Sequence, residues 1–155
     1  MQSPGGHENA PAERDFDGRA DDFSAKRLNP SCFACGEENP RGLRLAFHDA
    51  PGGGVRLEWT PEQHLESFRG VVHGGIVSTV LDEAMSHAVV ASHWKALTAE
   101  IRVRFRHEVR PGEALEISAQ VVERRKRKIL VEATMKSADG EERAHAWGTF
   151  LLLPE

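Results

Sequence analysis

The fold is decided by one stretch, Gly70-Val71-Val72-His73-Gly74-Gly75, together with residues 76–91 that follow it. The first part reads as the end of a short apolar strand and a glycine turn. Apolar side chains then recur at helical spacing and cover most of a helix circumference, which predicts a long buried helix that a sheet covers. These side chains are Ile76, Val77, Val80, Leu81, Ala84, Ala88 and Val89.

Two polar rows interrupt the apolar surface of this predicted helix. The rows, each with i, i+4 spacing, are Ser78, Asp82 and Ser86, and then Thr79, Glu83 and His87. Polar rows on helices are usually solvated faces, and the pattern alone favours that interpretation. The alternative is a catalytic carboxylate on a buried helix whose first backbone amides are bare.

Length, charge and composition exclude several classes of protein. The chain has 155 residues, a net charge of -4 and a pI of about 6.1, which fits one domain without general affinity for nucleic acid. No apolar run approaches the roughly 18–20 residues that would cross a membrane. The absence of a secretory signal and the presence of only two cysteines lead us to expect a cytoplasmic protein.

Apolar periodicity predicts the domain boundary and the fold class. Residues 1–29 are rich in Gly, Pro and charged residues, so we expect a disordered or loosely ordered N-terminal arm before a domain at residues 30–155. Alternating patterns predict a hairpin of two strands before the helix and a meander of four strands after it. The predicted class is therefore α+β, with one long helix on an antiparallel sheet of about six strands. The six strand segments are 43–48, 55–60, 99–106, 115–121, 129–136 and 144–153.

A Cys-x-x-Cys pair, Cys32 and Cys35, stands in a loop ahead of the first strand. The pair could form half of a zinc site, a redox pair, or two small thiols that pack the loop. A second half, such as another cysteine pair or a His-x3-His motif, is missing from the chain, although a symmetric dimer could supply four thiolates. We therefore predict no metal site.

Several motifs together resemble the hotdog-fold acyl-CoA thioesterases of the PaaI-like group. The resemblance covers roughly residues 30–153 and implies a curved sheet wrapped around the helix and a homodimer, or a dimer of such dimers. It also implies hydrolysis of an acyl-CoA thioester, without cofactor or metal, at sites shared between subunits. The motifs are His73-Gly74-Gly75, Asp82 nine positions later, Glu83-Ala84-Met85, Thr98-Ala99-Glu100-Ile101-Arg102-Val103, and the leader Cys32-Phe33-Ala34-Cys35-Gly36 with Asn39-Pro40-x-Gly42-Leu43.

The resemblance suggests a role for each motif residue at the helix start and on the helix. The amide of Gly74, helped by Gly75, would stabilise the oxyanion, because the first amides of a helix have no intrahelical acceptor. Asp82 matches the family's catalytic carboxylate and would act as general base or as nucleophile. It lies about two helical turns beyond the glycines, so the Asp82 of a second subunit would serve the site. Glu83 is the reserve candidate for the carboxylate.

Further residues are expected to assist this site. Thr98 matches a hydroxyl that orients water or the carboxylate in relatives, and His73 would fix the turn through its ring nitrogens. Ser67 departs from the family pattern, since many relatives carry asparagine six residues before the histidine. His64 or the backbone would then take over the contact that the asparagine amide makes.

A basic cluster is the candidate docking site for the phosphates of CoA. The same charges would also suit a solvated hairpin turn that protects an edge. A non-catalytic acyl-CoA-binding or sensor module on the same fold is the alternative function. The cluster consists of Arg124, Arg125, Lys126, Arg127 and Lys128.

Overall fold

A computed structural model describes residues 29–154, so the predicted N-terminal arm lies outside the described residues except for Asn29. Six strands and one long helix form the domain, with a short 3-10 helix at Gln63–Leu65 before the long one. All strand pairings are antiparallel and give one sheet in the order β1-β2-β4-β5-β6-β3. The predicted α+β class is confirmed. The elements are β1 (His48–Asp49), β2 (Val55–Trp59), α1 (Gly74–Ala91), β3 (Ala96–Phe105), β4 (Leu115–Arg125), β5 (Lys128–Ser137) and β6 (Glu142–Leu152).

The predicted four-strand meander is wrong at its first step. β3 pairs with β6 at the far edge of the sheet, and β4 lies between β2 and β5. The chain crosses from one position to the other through residues 106–114, where the amide of Val72 donates to the carbonyl of Val109 at 2.8 Å. Alternation of apolar residues reports which face of a strand is buried, but it does not report which strand is its neighbour.

The first predicted strand is also much shorter than expected. Only His48–Asp49 pairs with β2, although Leu45 and Phe47 are buried as the alternation predicted. The backbone before it bonds to the cysteine loop instead: the amide of Leu43 donates to the carbonyl of Phe33, and the amide of Leu45 to that of Ala34. This competing partner explains the short strand and fixes the loop against the domain.

The long helix lies against one face of the sheet and supplies the centre of the core. Leu81 and Met85 are completely buried. Gly148 of β6 allows the helix to approach, since a Cβ there would lie 2.9 Å from the sulfur of Met85. A side chain at this position would separate helix and sheet, so the glycine helps to set where the polar residues of the helix lie.

β3 is an edge strand with an unusual exposed face. Seven of its ten residues are exposed, including Leu97 at 64% and Phe105 at 54%. Among residues 29–154 no strand pairs with its outer edge. A long edge with exposed apolar side chains is typical of a surface that another chain covers.

Candidate active site

The start of the long helix leaves one backbone amide available. His73 is the N-cap, and its Nδ1 accepts a hydrogen bond from the amide of Gly75 at 2.9 Å. The amides of Ile76 and Val77 donate to the carbonyl of His73. Within the described part of the chain the amide of Gly74 has no acceptor. Of the two glycines predicted to bind an oxyanion, Gly74 therefore has the available donor, and Gly75 is held by the histidine.

A cavity of about 310 Å³ lies beside this amide. Its lining includes Gly74, Val77, Phe105 and Ser67. The hydroxyl of Ser67 points to the carbonyl of Val71 at 3.5 Å, the limit of a hydrogen bond. The structure thus brings Ser67 and Gly74 together, as the motif spacing indicated.

His64 lies apart from this cavity. Its exposed ring sits on the short 3-10 helix, 3.7 Å from the carboxylate of Glu62, and it is not among the lining residues. The structure therefore does not bring His64 to the amide of Gly74. Ser67 is the residue of this loop that reaches the cavity.

Asp82 and Thr98 form a pair between the helix and the edge strand. The Thr98 hydroxyl donates to Oδ1 of Asp82 at 2.8 Å. Burial raises the pKa of the Asp82 carboxyl above its ordinary value, while the Thr98 hydrogen bond opposes the rise. Thr98 leaves Oδ2 of Asp82 available, so the carboxylate can both be oriented and accept a proton.

Glu83 points to a different part of the molecule. Its Oε1 lies 3.7 Å from the sulfur of Cys32 and 3.2 Å from Nε2 of His87. Burial alone would raise the pKa of Glu83, but hydrogen bonds from His87 and from the two thiols outweigh burial and hold the pKa below its ordinary value. The reserve carboxylate is thus occupied by the cysteine loop, away from Gly74.

The cysteine loop and the helix form a polar cluster that the sequence did not reveal. One ligand atom each of Cys32, Cys35 and Glu83 lie within 4.8 Å of one another. Burial and, to a smaller extent, the neighbouring carboxylate of Glu83 raise the pKa of the Cys35 thiol far above its usual range. His87 is only 3% exposed and stacks on Phe47 with ring centroids 4.3 Å apart. The Cys-x-x-Cys motif and the row of Glu83 and His87 were both visible in the sequence, but a separation of 51 residues hid their contact.

The basic cluster lies at the turn between β4 and β5, at the end of the sheet near the helix C-terminus. Three of its members have partners: the Arg124 guanidinium lies 5.1 Å from the ring centroid of Trp94, Arg125 pairs with Glu123, and Arg127 donates to a backbone carbonyl of β6. Within residues 29–154 no such partner is seen for Lys126 and Lys128. These two lysines are the members of the cluster that can bind an anion without losing a contact.

These features match a known family. A family model described as the thioesterase superfamily matches residues 69–144, the part of the chain that holds the helix start, Asp82 and Thr98. The match spans 76 of the chain's 155 residues, and this part of the chain is similar to the thioesterase superfamily.

Two related sequences match part of the chain. A protein of Candida albicans (strain WO-1), named "Uncharacterized protein, mitochondrial", is 28% identical over 95 residues, which are 60% of this chain and 43% of that protein. The chain thus spans less than half of that relative's length. A protein of Saccharolobus solfataricus, named "Putative esterase SSO1253", is 26% identical over 115 residues, 73% of this chain and 76% of its own.

Solved structures establish the hotdog fold. The thioesterase superfamily protein RHA08564 superposes with a TM-score of 0.79 at 23% identity and covers 94% of this chain and 70% of its own. A hypothetical thioesterase of Streptococcus pneumoniae TIGR4, solved with coenzyme A, gives 0.67 at 14% identity, covering 72% and 87%. The Escherichia coli PaaI protein from the phenylacetic acid degradation operon gives 0.66 at 17% identity, covering 70% and 83%. The streptococcal protein was also solved in two variants, one with an aspartate and one with a threonine replaced by alanine.

Proposed function

We propose that the protein is a homodimeric thioesterase that hydrolyses an acyl-CoA thioester to the free acid and CoA. The Gly74 amide of one subunit binds the oxyanion, and Asp82 of the partner subunit activates water or attacks the carbonyl. The observation that carries the proposal is that one helix offers two groups for this reaction. The amide at its start is available beside a cavity, and a half-buried carboxylate further along it is held by Thr98.

The arrangement needs a second subunit because the two groups are far apart in one chain. Asp82 follows Gly74 by eight residues, which places it roughly 12 Å further along the helix axis. A general base must lie within hydrogen-bond reach of the water that it activates. A second copy, paired along the exposed edge of β3, brings its own Asp82–Thr98 pair towards the Gly74 cavity.

Thioester hydrolysis follows from these groups by one of two routes. In the first, Oδ2 of Asp82 takes a proton from water, the oxygen attacks the thioester carbon, and the Gly74 amide stabilises the oxyanion. The tetrahedral intermediate then collapses, expels the CoA thiolate and leaves the acid. In the second, the carboxylate attacks, CoA leaves as thiolate, and water hydrolyses the mixed anhydride. The raised pKa of Asp82 makes the carboxylate both a stronger base and a stronger nucleophile, so it suits either route.

Acyl-CoA is the substrate class that the comparisons support. The streptococcal relative was solved with coenzyme A, and a protein of Streptococcus mutans UA159 with the same TM-score of 0.67 was solved with acetyl CoA. CoA carries phosphates, for which the free lysines of the β4–β5 turn, Lys126 and Lys128, are suitable partners.

A panel of short, medium, long and aromatic acyl-CoAs tests the activity. Released CoA is measured by chromatography, because Cys32 and Cys35 would interfere with thiol reagents. We expect turnover in the wild-type protein and a loss of about 10²–10⁴-fold in Asp82→Asn, the usual contribution of a general base. Asp49→Asn, on the surface at β1, is the matched control. Saturable binding without turnover would contradict the proposal and favour a binding module.

The route is tested by a single turnover in water labelled with ¹⁸O. Label in the carboxylate of Asp82 requires water to attack the Asp82 carbonyl of a mixed anhydride, so it would establish the second route. Label in the acid product alone would favour the first route.

A further inference from the structure

We propose that Cys32, Cys35 and Glu83 form a zinc site, with His87 orienting the carboxylate. The site is separate from the Gly74 cavity, and the inference does not rest on the proposed thioesterase activity. The site consists of three potential ligand atoms, from one loop and one helix, that lie close to one another.

The distances suit a tetrahedral ion. The two sulfurs and one carboxylate oxygen lie within 4.8 Å of one another. Ligand atoms around a tetrahedral zinc are about 3.5–4 Å apart, given Zn–S bonds of about 2.3 Å and Zn–O bonds of about 2.0–2.2 Å. Small side-chain rotations therefore close the site, and a water molecule completes the tetrahedron.

Backbone hydrogen bonds hold the cysteine loop in a turn that places both thiols near Glu83. The amide of Gly36 donates to the carbonyl of Cys32 at 2.9 Å, which closes the turn between the two cysteines. A Cβ at Gly36 would lie 2.4 Å from the carbonyl oxygen of Pro30, so only glycine fits. The hydrogen bonds from Leu43 and Leu45 then hold the loop against the domain. A site that folds before the metal arrives loses little entropy on binding.

His87 completes the environment of the carboxylate. Its Nε2 lies 3.2 Å from Oε1 of Glu83, and the ring is fixed by burial and by stacking on Phe47. A donor of this kind holds a ligating carboxylate in place and is a common outer partner of metal ligands. The buried Nδ1 of His87 has no partner within the described residues, so Nε2 is the ring nitrogen that contacts the carboxylate.

Zinc is the ion that this donor set selects. Two thiolates favour zinc over magnesium or calcium, which prefer oxygen ligands. Binding displaces the two thiol protons to solvent and leaves the oxidation states unchanged. The ion would tie the loop at residues 32–35 to the helix at Glu83, one residue from Asp82, and so fix the rotation of the helix about its axis.

Zinc content of the untagged full-length chain tests the proposal. The protein is stripped with a chelator, kept reduced, and titrated with zinc against a chromogenic competitor, with cobalt as a spectroscopic substitute. We expect one zinc per chain, a thiolate-to-cobalt charge-transfer band, and a higher Tm with zinc. Cys32→Ser and Glu83→Gln should weaken zinc binding by at least about 100-fold, and His87→Gln by about 10–100-fold.

Glu37→Gln, an exposed acidic residue of the same loop, is the matched control and should change the affinity less than twofold. Less than a tenth of an equivalent of zinc in the reduced wild-type chain would overturn the proposal, whatever the variants do. Half an equivalent per chain, with Glu83→Gln unaffected, would also overturn it, in favour of four thiolates shared by two subunits. Should Cys32→Ser fail to fold, the wild-type stoichiometry and Glu83→Gln decide the matter.

Discussion

Replacement of Gly74 by proline removes one hydrogen-bond donor and almost nothing else. Gly74 is the first residue of the helix, the position at which proline is best tolerated, because its amide has no intrahelical acceptor there. His73 has φ -57° and ψ 129°, in the extended region that a residue before proline adopts. A Cβ at position 74 meets the Phe105 ring at 3.5 Å, an ordinary contact. The variant should therefore fold with a Tm at or above that of the wild type.

Its effect on turnover should be that of a lost oxyanion donor. Removal of one such donor costs about 10²–10³ in kcat, or about 2.7–4 kcal/mol. Gly74→Ala is the matched control, because it adds the same Cβ and keeps the amide. We expect Gly74→Ala to stay within about tenfold of the wild type, since its methyl group only touches Phe105. The ratio of kcat for the two variants, measured with one acyl-CoA, isolates the amide. A ratio below ten would refute its role.

The same variant shows whether one site is shared by two subunits. In a heterodimer of Gly74→Pro and Asp82→Asn chains, one site would combine an intact Gly74 with an intact Asp82. Random assembly after co-expression makes half of the dimers mixed, so about a quarter of the wild-type activity should return. Sites that lie within one chain would leave the mixture as inactive as its parents.

Further predictions follow from the same contacts. Thr98→Val removes the hydrogen bond that lowers the pKa of Asp82, so the acidic limb of the pH profile of kcat/KM should move to higher pH. Thr98→Ser keeps the hydroxyl and should leave the limb in place. An unchanged limb in Thr98→Val would show that Thr98 does not act on the catalytic base. Burial raises the pKa of Asp82 in the folded protein, so the ionised carboxylate lowers the free energy of unfolding once the pH exceeds the ordinary pKa of an aspartate. Asp82→Asn should therefore be more stable to urea than the wild type at pH 7, by about 0.5–2 kcal/mol, and this gain should shrink towards about pH 4. Equal stability of the two proteins at both pH values would contradict the burial argument. Lys126→Glu with Lys128→Glu should raise KM several-fold for an acyl-CoA but not for the matching acyl-pantetheine, and equal effects on both would argue against phosphate docking at this turn.

Local patterns in the sequence predicted the elements well, and they predicted the sheet order poorly. The helix was expected over residues 76–91, directly after the glycines, and it spans Gly74–Ala91. The position of β3 at the edge was missed, because it depends on the crossover at residues 106–114 and not on any pattern within the strand. That position matters for the proposed site, because it exposes the strand that carries Thr98 and Phe105.

The sequence predicted only part of the candidate site, because local patterns do not report contacts between distant segments of the chain. Asp82 and Thr98 are 16 residues apart and were singled out by motif, and the structure joins them directly. Glu83 was assigned to the same polar surface of the helix, yet it contacts a loop 51 residues earlier in the chain. No periodicity reports such a contact, which depends on how the cysteine loop packs against the helix.

Asp82 and Glu83 are neighbouring carboxylates on one turn of the helix, and they meet different surroundings. Neighbouring residues point about 100° apart, so each meets its own surroundings. Asp82 faces the edge strand, where one hydroxyl is its partner and burial keeps its pKa high. Glu83 faces a buried imidazole and two thiols, whose hydrogen bonds keep its pKa low. A group that must take a proton from water benefits from the first environment, and a group that must remain an anion, whether as a metal ligand or as a hydrogen-bond acceptor, benefits from the second. We therefore expect exchange of the two residues to impair both the proposed hydrolysis and the proposed zinc site, although the helix would keep the same composition and charge.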